Sequence, residues 1–169
     1  MSPTPIRIGF VGLSSTGWAS TALAPAMFRL KDNYIIKAVS TTSPESAKAS
    51  ADKYSDELGH TVKQYFGDTS HIANDPEIDM IVLAVKAPSH LEAVLPVIAA
   101  GKDFFLEWPA GRNLQETTAI ADASRKKGVK SMVGLQARHS PALMKVESNI
   151  TSPSLPCFFM SSFQGQGNH

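Results

Sequence analysis

The stretch Ile6-Arg7-Ile8-Gly9-Phe10-Val11-Gly12-Leu13-Ser14-Ser15-Thr16-Gly17-Trp18-Ala19 decides how this chain is read. Its first six residues form a strand-like run rich in β-branched and aromatic side chains. The next six form a turn of small residues bounded by two glycines, and a helix start follows. A strand that feeds a glycine-bearing turn and then a helix is the opening of a β-α-β unit.

Working outward, the same alternation continues. Strand-like runs at 35–40, 62–66, 80–85, 104–107 and 129–135 are separated by segments of helical pattern, the signature of a parallel sheet with crossover helices. The run Met80-Ile81-Val82-Leu83-Ala84-Val85 is continuously apolar, as a strand covered on both faces requires. The helices carry their own punctuation. Thr42-Ser43-Pro44-Glu45 supplies a capping hydroxyl at Thr42, proline at the first helical position and an acid three residues on. Ala47, Ala51, Tyr54 and Leu58 then form a narrow stripe to lie on the sheet. Ser89 with Glu92 reads as a second capping box and Gly101 as the residue closing that helix, with a kink expected at Pro96. Asn113 with Glu116 opens a third helix, which Gly128 stops.

These features give an α/β fold, a Rossmann-type doubly wound parallel sheet in a single domain over 1–146. Residues 147–169 read as a linker and a tail strand. Within that tail, 148–156 is rich in serine and proline, and 157–163 is apolar enough for one strand.

Bulk properties narrow the function classes. At 169 residues, 43% hydrophobic and 18% charged, the chain suits one soluble globular domain that needs no disulfide or metal staple. Sixteen basic against fifteen acidic residues leave a formal charge of +1. The longest like-charge run, Arg125-Lys126-Lys127, precedes Gly128, where cations complement a helix C-terminus. That balance argues against a nucleic-acid partner. The single cysteine, Cys157, fits a reducing compartment. No signal-peptide pattern opens the chain, and its longest apolar run is far short of the roughly 20 residues that cross a bilayer. The expectation is a cytoplasmic protein without a membrane partner.

The turn also carries chemistry. At such a junction, free backbone N–H groups and the helix dipole meet and can hold a pyrophosphate. Gly12, Ser14, Ser15, Thr16, Gly17 and Trp18 are therefore the candidate cofactor residues. The pattern is G-x-S-x-x-G, so Ser14 adds a side chain where bare backbone usually approaches the phosphates, with a hydroxyl that can itself donate. The second strand ends in Thr41 and Thr42, where an acid normally grips the ribose 2′-hydroxyl of NAD. Without a carboxylate there, NADP is favoured over NAD. The alternative is a tight turn that holds no cofactor.

Taken in order, the glycine turn, Asp79-Met80-Ile81-Val82-Leu83-Ala84-Val85, His90, Ala100-Gly101-Lys102, Glu107-Trp108-Pro109 and Arg138-His139-Ser140-Pro141 resemble the N-terminal domain of the Gfo/Idh/MocA oxidoreductases. The resemblance covers about residues 5–146. It extends to the fungal branch of Gal80-like regulators, whose turn also runs into Gly-Trp-Ala, as in Gly17-Trp18-Ala19. It implies NAD(P) binding and hydride transfer to or from a small-molecule substrate such as a sugar. It also implies a second domain, of which 155–167 resembles the first strand before the sequence ends.

Two departures bear on that chemistry. The family's Glu-Lys-Pro motif, whose lysine lies beside the nicotinamide, is Glu107-Trp108-Pro109 here. An indole offers one weakly acidic N–H and a flat apolar face in place of a proton donor. The second departure is that the family's C-terminal domain, which the resemblance implies would supply the substrate wall and a catalytic histidine, is expected to be lacking. Candidate catalytic residues at the carboxyl edge of the sheet are then Lys86, His90, Glu107 and Trp108, and Glu107 also matches the acid that orients the nicotinamide ribose. Arg138 and His139 end the last strand, with Arg138 read as ordering the domain junction.

Three functions remain open at this point. One is an NADP-binding oxidoreductase-like enzyme with an atypical site. Another is a non-redox isomerase, dehydratase or cyclase using the old cofactor cleft. The last is an NADP-sensing regulatory module. In the tail, Cys157-Phe158-Phe159-Met160 presents apolar side chains and strand edges, from which a homodimer through 155–163 is expected.

Overall fold

The computed structural model describes residues 4–135 and 139–150, with side chains through residue 147. Strands β1 (Ile6–Val11), β2 (Tyr34–Thr41), β3 (Lys63–Phe66), β4 (Met80–Leu83), β5 (Asp103–Glu107) and β6 (Ser131–Gly134) form one sheet in the order β3-β2-β1-β4-β5-β6. Every neighbouring pair is parallel. The chain moves outward from β1 to β3, then returns to the far side of β1 and moves outward again. Right-handed crossovers therefore send the two sets of helices to opposite faces.

On one face, a π-helical turn (Ala19–Leu23) runs into α1 (Ala24–Phe28), and both pack with α2 (Pro44–Leu58) over Ile8, Phe10, Val39 and Val82. On the other, α3 (Ser70–Ala73), α4 (His90–Ala99) and α5 (Leu114–Lys127) pack over Val11, Ile81, Leu83, Phe104 and Leu106. Each such side chain contributes about 1.5–3 kcal/mol by leaving water, which is why the continuous apolar strands sit at the centre. The stripe Ala47, Ala51 and Tyr54 on α2 is buried as its spacing predicts.

Several boundaries differ from the sequence reading, each for a local reason. Ser43, not Thr42, caps α2: its hydroxyl accepts from the Ser46 N–H at 3.2 Å, and Pro44 is the first helical residue. Ser89 makes no cap, because a 3₁₀ turn (Ala87–Ser89) delivers the chain to α4 already in helical conformation. Asn113 does cap α5, accepting from the Glu116 N–H at 2.9 Å. The Glu116 side chain turns back to the Arg112 N–H and guanidinium. Gly101 closes α4 at φ +74, with the Gly101 N–H donating to Ile98 and the Lys102 N–H to Val97. β6 begins at Ser131 rather than 129, since the Val129 N–H is spent on the Ser124 carbonyl at the end of α5.

The amino edge of the sheet is stapled by charge. Arg7 at the start of β1 pairs with Asp79 at 2.6 Å. Asp75, whose side chain is 2% exposed, accepts from the Glu77 N–H, the Tyr65 hydroxyl and the Lys63 ammonium. Burial pushes the Asp75 carboxyl up. The Glu77 N–H, Lys63 and Tyr65 outweigh that and hold it below its ordinary value.

The chain divides into two compact units, Met1–Gly134 and Leu135–His169. In the second, α6 (Pro141–Ile150) was not anticipated and runs past residue 146, into the expected linker. Its start signal is local: Ser140 accepts from the Leu143 and Met144 N–H groups, and Pro141 is the first helical residue. The tail strand proposed at 155–163 lies outside the described residues. Among the described residues, no helix is long and apolar enough to cross a membrane.

Candidate cofactor site

The turn after β1 sits where the strand order reverses, at the carboxyl edge of the sheet. Its first glycine is held on both sides. The Gly12 N–H donates to the Ser40 carbonyl of β2 at 2.8 Å, and Gly12 adopts φ +87. A Cβ at Gly12 would lie 2.5 Å from the Ala84 carbonyl oxygen, so the turn passes the segment after β4 with room only for hydrogen. Glycine is required here twice over, by φ and by contact.

The carbonyl groups of the turn are occupied by the protein itself. The Ser14 carbonyl accepts from the Tyr54 hydroxyl at 3.0 Å, and the Ser15 carbonyl from the Lys53 ammonium at 2.7 Å. The Thr16 carbonyl accepts from the Ser14 hydroxyl, so that hydroxyl, expected as a donor to phosphate, is committed inside the turn. The N–H groups of Ser15, Thr16 and Gly17 have no protein acceptor among the described residues. Thr16 and Gly17 are exposed. A turn whose acceptors are satisfied inward and whose donors remain unpaired fits a diphosphate.

Around it stand the other candidates. Trp18, 55% exposed, leads into the π-helical turn, and the Thr21 hydroxyl reaches the Gly17 and Trp18 carbonyls. Thr41 ends β2 half-buried with its hydroxyl donating to the Ser43 carbonyl at 3.3 Å, and Thr42 beside it is exposed. Thus no carboxylate occupies the end of β2. Glu45, exposed in the first turn of α2, is held below its ordinary pKa by its own backbone N–H and the Ser43 hydroxyl.

The β4 and β5 ends supply the remaining residues. Lys86 is exposed and, among the described residues, forms no ion pair or hydrogen bond through its side chain. His90 is buried at 1% exposure, with Nδ1 2.8 Å from the Pro109 carbonyl and Nε2 2.9 Å from the Val85 carbonyl. Both ring nitrogens therefore face backbone oxygens, and a neutral ring can donate to only one of them. In this arrangement His90 ties the loop after β4 to the loop after β5, a positioning contact rather than a group presented to substrate.

Glu107 ends β5 half-buried, and Trp108 follows it at 64% exposure on a cis Trp108–Pro109 bond. The segment after Trp108 is fixed: Ala110 is buried, and a Cβ at Gly111 would meet Glu116 Cβ at 2.8 Å. The indole is thus displayed from an anchored loop at the same edge as the glycine turn. Arg138 lies outside the described residues, and His139 is exposed in the second unit. Among the described residues, no group of three or more His, Cys, Asp or Glu is arranged to hold a metal ion.

Two contributors escaped the sequence reading. By spacing Tyr54 reads as part of the core stripe, and Lys53 belongs to no motif. A buried tyrosine needs a partner for its hydroxyl, which is the one signal that marked α2 as a support for the turn.

The sheet order and the glycine turn together define a dinucleotide-binding Rossmann domain. The chain matches the Gfo/Idh/MocA oxidoreductase family, NAD-binding Rossmann fold, over residues 6–135, and it belongs to that family. It is 37% identical over 156 residues to the dehydrogenase aclE of Aspergillus oryzae, an alignment covering 89% of this chain and 41% of that protein. It is 30% identical over 154 residues to the galactose/lactose metabolism regulatory protein GAL80 of Saccharomyces cerevisiae, covering 87% of this chain and 34% of that protein. The crystal structure of a Gal80p super-repressor mutant from the same yeast superposes with a TM-score of 0.75 over 88% of this chain and 39% of that one. The chain thus spans well under half the length of these relatives.

Proposed function

We propose that this chain binds NADP in the cleft above Gly12–Gly17 and serves an oxidoreductase-type reaction on a small molecule. The observation that carries the reading is the turn itself, with its carbonyls taken by Tyr54, Lys53 and Ser14 and its outer N–H groups unpaired among the described residues. NADP is preferred because β2 ends in Thr41 and Thr42, so no strand-end carboxylate repels a 2′-phosphate. When bound, a nicotinamide cofactor supplies or accepts hydride. The protein's own share is to hold the diphosphate at the turn, to orient the nicotinamide ribose with Glu107, to offer the flat face of Trp108, and to bring Lys86 as proton donor. His90 keeps the two loops that carry these groups in register. A cytoplasmic setting accords with this cofactor and with the lone cysteine.

A second reading, an NADP-sensing module without turnover, is favoured by two observations. Trp108 stands where the family has lysine, and both His90 nitrogens are tied to backbone carbonyls. Calorimetric titration with NADPH and NADH, alongside nicotinamide absorbance during incubation with sugar and alcohol substrates, separates the readings. Binding with turnover supports the first, and binding without turnover the second. No binding of either nucleotide removes both.

The homodimer through 155–163 is proposed on sequence grounds. The mass of the full chain in solution, compared with a version ending at Ser152, tests it: two monomers of unchanged mass would reject the interface.

A further inference from the structure

The Lys53 ammonium lies against the glycine turn, within hydrogen-bond distance of the Ser15 carbonyl. Lys53 lies ten residues into α2, on the turn of helix that faces the glycine loop, and side chains on a helix lean toward its N-terminus, here toward the end of β2. Its Nζ is 2.7 Å from the Ser15 carbonyl and 5.1 Å from the centroid of the Tyr54 ring. The neighbouring acid Asp52 is taken by Lys48 at 2.7 Å. Among the described residues, no carboxylate forms an ion pair with Lys53. One of its three donors is used by Ser15, and two remain.

In a Rossmann domain the adenosine ribose lies over the end of the second strand, which here is Thr41 with Thr42 after it. We propose that Lys53 is the residue that reads the 2′-phosphate of NADP, its ammonium supplying the charge that most NADP sites obtain from an arginine directly after the second strand. The inference rests on the cofactor reading above and deepens it: it assigns the specificity to a helix lysine that no local motif marks. The Tyr54 ring beneath the stem and the Ser15 carbonyl hold the ammonium in place before any ligand arrives, and a preorganised cation loses less entropy on binding.

The test compares Lys53→Met and Lys53→Arg with the native chain by calorimetric titration of NADPH and NADH at low and physiological salt. Methionine keeps an unbranched apolar stem over Tyr54 and removes the charge together with the hydrogen bond to the Ser15 carbonyl. Thermal melting of each variant confirms that it folds, and arginine restores the charge. A charge-assisted hydrogen bond lost at the 2′-phosphate weakens NADPH by about tenfold beyond any loss seen with NADH, the loss common to both nucleotides reporting the Ser15 contact. The arginine variant recovers most of the loss, and the salt dependence of NADPH binding falls in the methionine variant. An equal loss for both nucleotides assigns Lys53 to ordering the turn and overturns the inference while leaving the cofactor reading intact. Unchanged NADPH affinity also overturns it. A native chain that binds neither nucleotide removes the cofactor reading and this inference together.

Discussion

Gly12 passes the Ala84 carbonyl too closely for a side chain: a Cβ on Gly12 would come within 2.5 Å of that oxygen. The contact lies between the ends of β1 and β4, where the sheet changes direction, so it sets how far the two sides of the cofactor cleft stand apart.

Gly12→Ala tests it against Gly59→Ala. Both glycines have positive φ, but nothing lies within 4 Å of a Cβ at Gly59. The Gly59 variant loses about 1 kcal/mol from backbone strain and keeps nucleotide binding. The Gly12 variant adds the clash with Ala84, melts lower still, and loses measurable NADPH binding. Equal melting points and equal affinities would show that the close approach is relaxed at little cost.

His90 is expected to stabilise rather than to react. A neutral ring donates to one of the Val85 and Pro109 carbonyls, so His90→Ala removes one such hydrogen bond, about 1–3 kcal/mol. That loss lowers the melting temperature by roughly 2 to 12 °C for a chain of this size. A variant of native stability that had lost only turnover would instead assign His90 to the reaction.

Asp75 gives the fold an acid limit. Its carboxyl is held below its ordinary value in the folded chain, so its contribution is complete above about pH 4 and is lost as pH falls through the folded value. Asp75→Asn lowers stability at neutral pH by about 1–3 kcal/mol and flattens the decline below pH 4. Denaturation midpoints measured from pH 2.5 to 7 check both effects, and parallel curves for the two proteins would count against the staple.

Trp108 can be followed directly, because the chain has two tryptophans. In Trp18→Phe, the remaining emission reports the indole after β5. Saturating NADPH is expected to quench it, and substituting Trp108 by phenylalanine in the native chain to weaken NADPH binding by a few-fold, as loss of stacking area implies. Emission unaltered at calorimetric saturation would move the nicotinamide away from Trp108.

Glu45 provides the counterpart to Lys53. Its carboxylate is ionised and exposed in the first turn of α2, three residues beyond Thr42, from where it would repel a 2′-phosphate weakly through solvent. Glu45→Gln is expected to tighten NADPH by about two- to threefold in low salt with NADH unchanged. Weaker NADH binding in that variant would instead make Glu45 the acid that grips the 2′-hydroxyl.

The amino-acid order alone determined the sheet, its helices and the place of the cofactor turn. Apolar runs with period-free burial, the Gly12 and Gly17 punctuation and the caps at Asn113 and Gly128 are local signals, and local interactions fix them. Ser140-Pro141 at the start of α6 is a local signal of the same kind. What only the tertiary structure decided are relations between residues far apart in the chain. His90 was readable as a helix-opening histidine, yet its burial between Val85 and Pro109 depends on two loops meeting. Lys53 and Tyr54 lie 38 and 40 residues from the carbonyls they hold. No periodicity encodes such a pairing: it arises because the crossover places α2 beside the turn, and a long side chain then finds the one carbonyl within its reach.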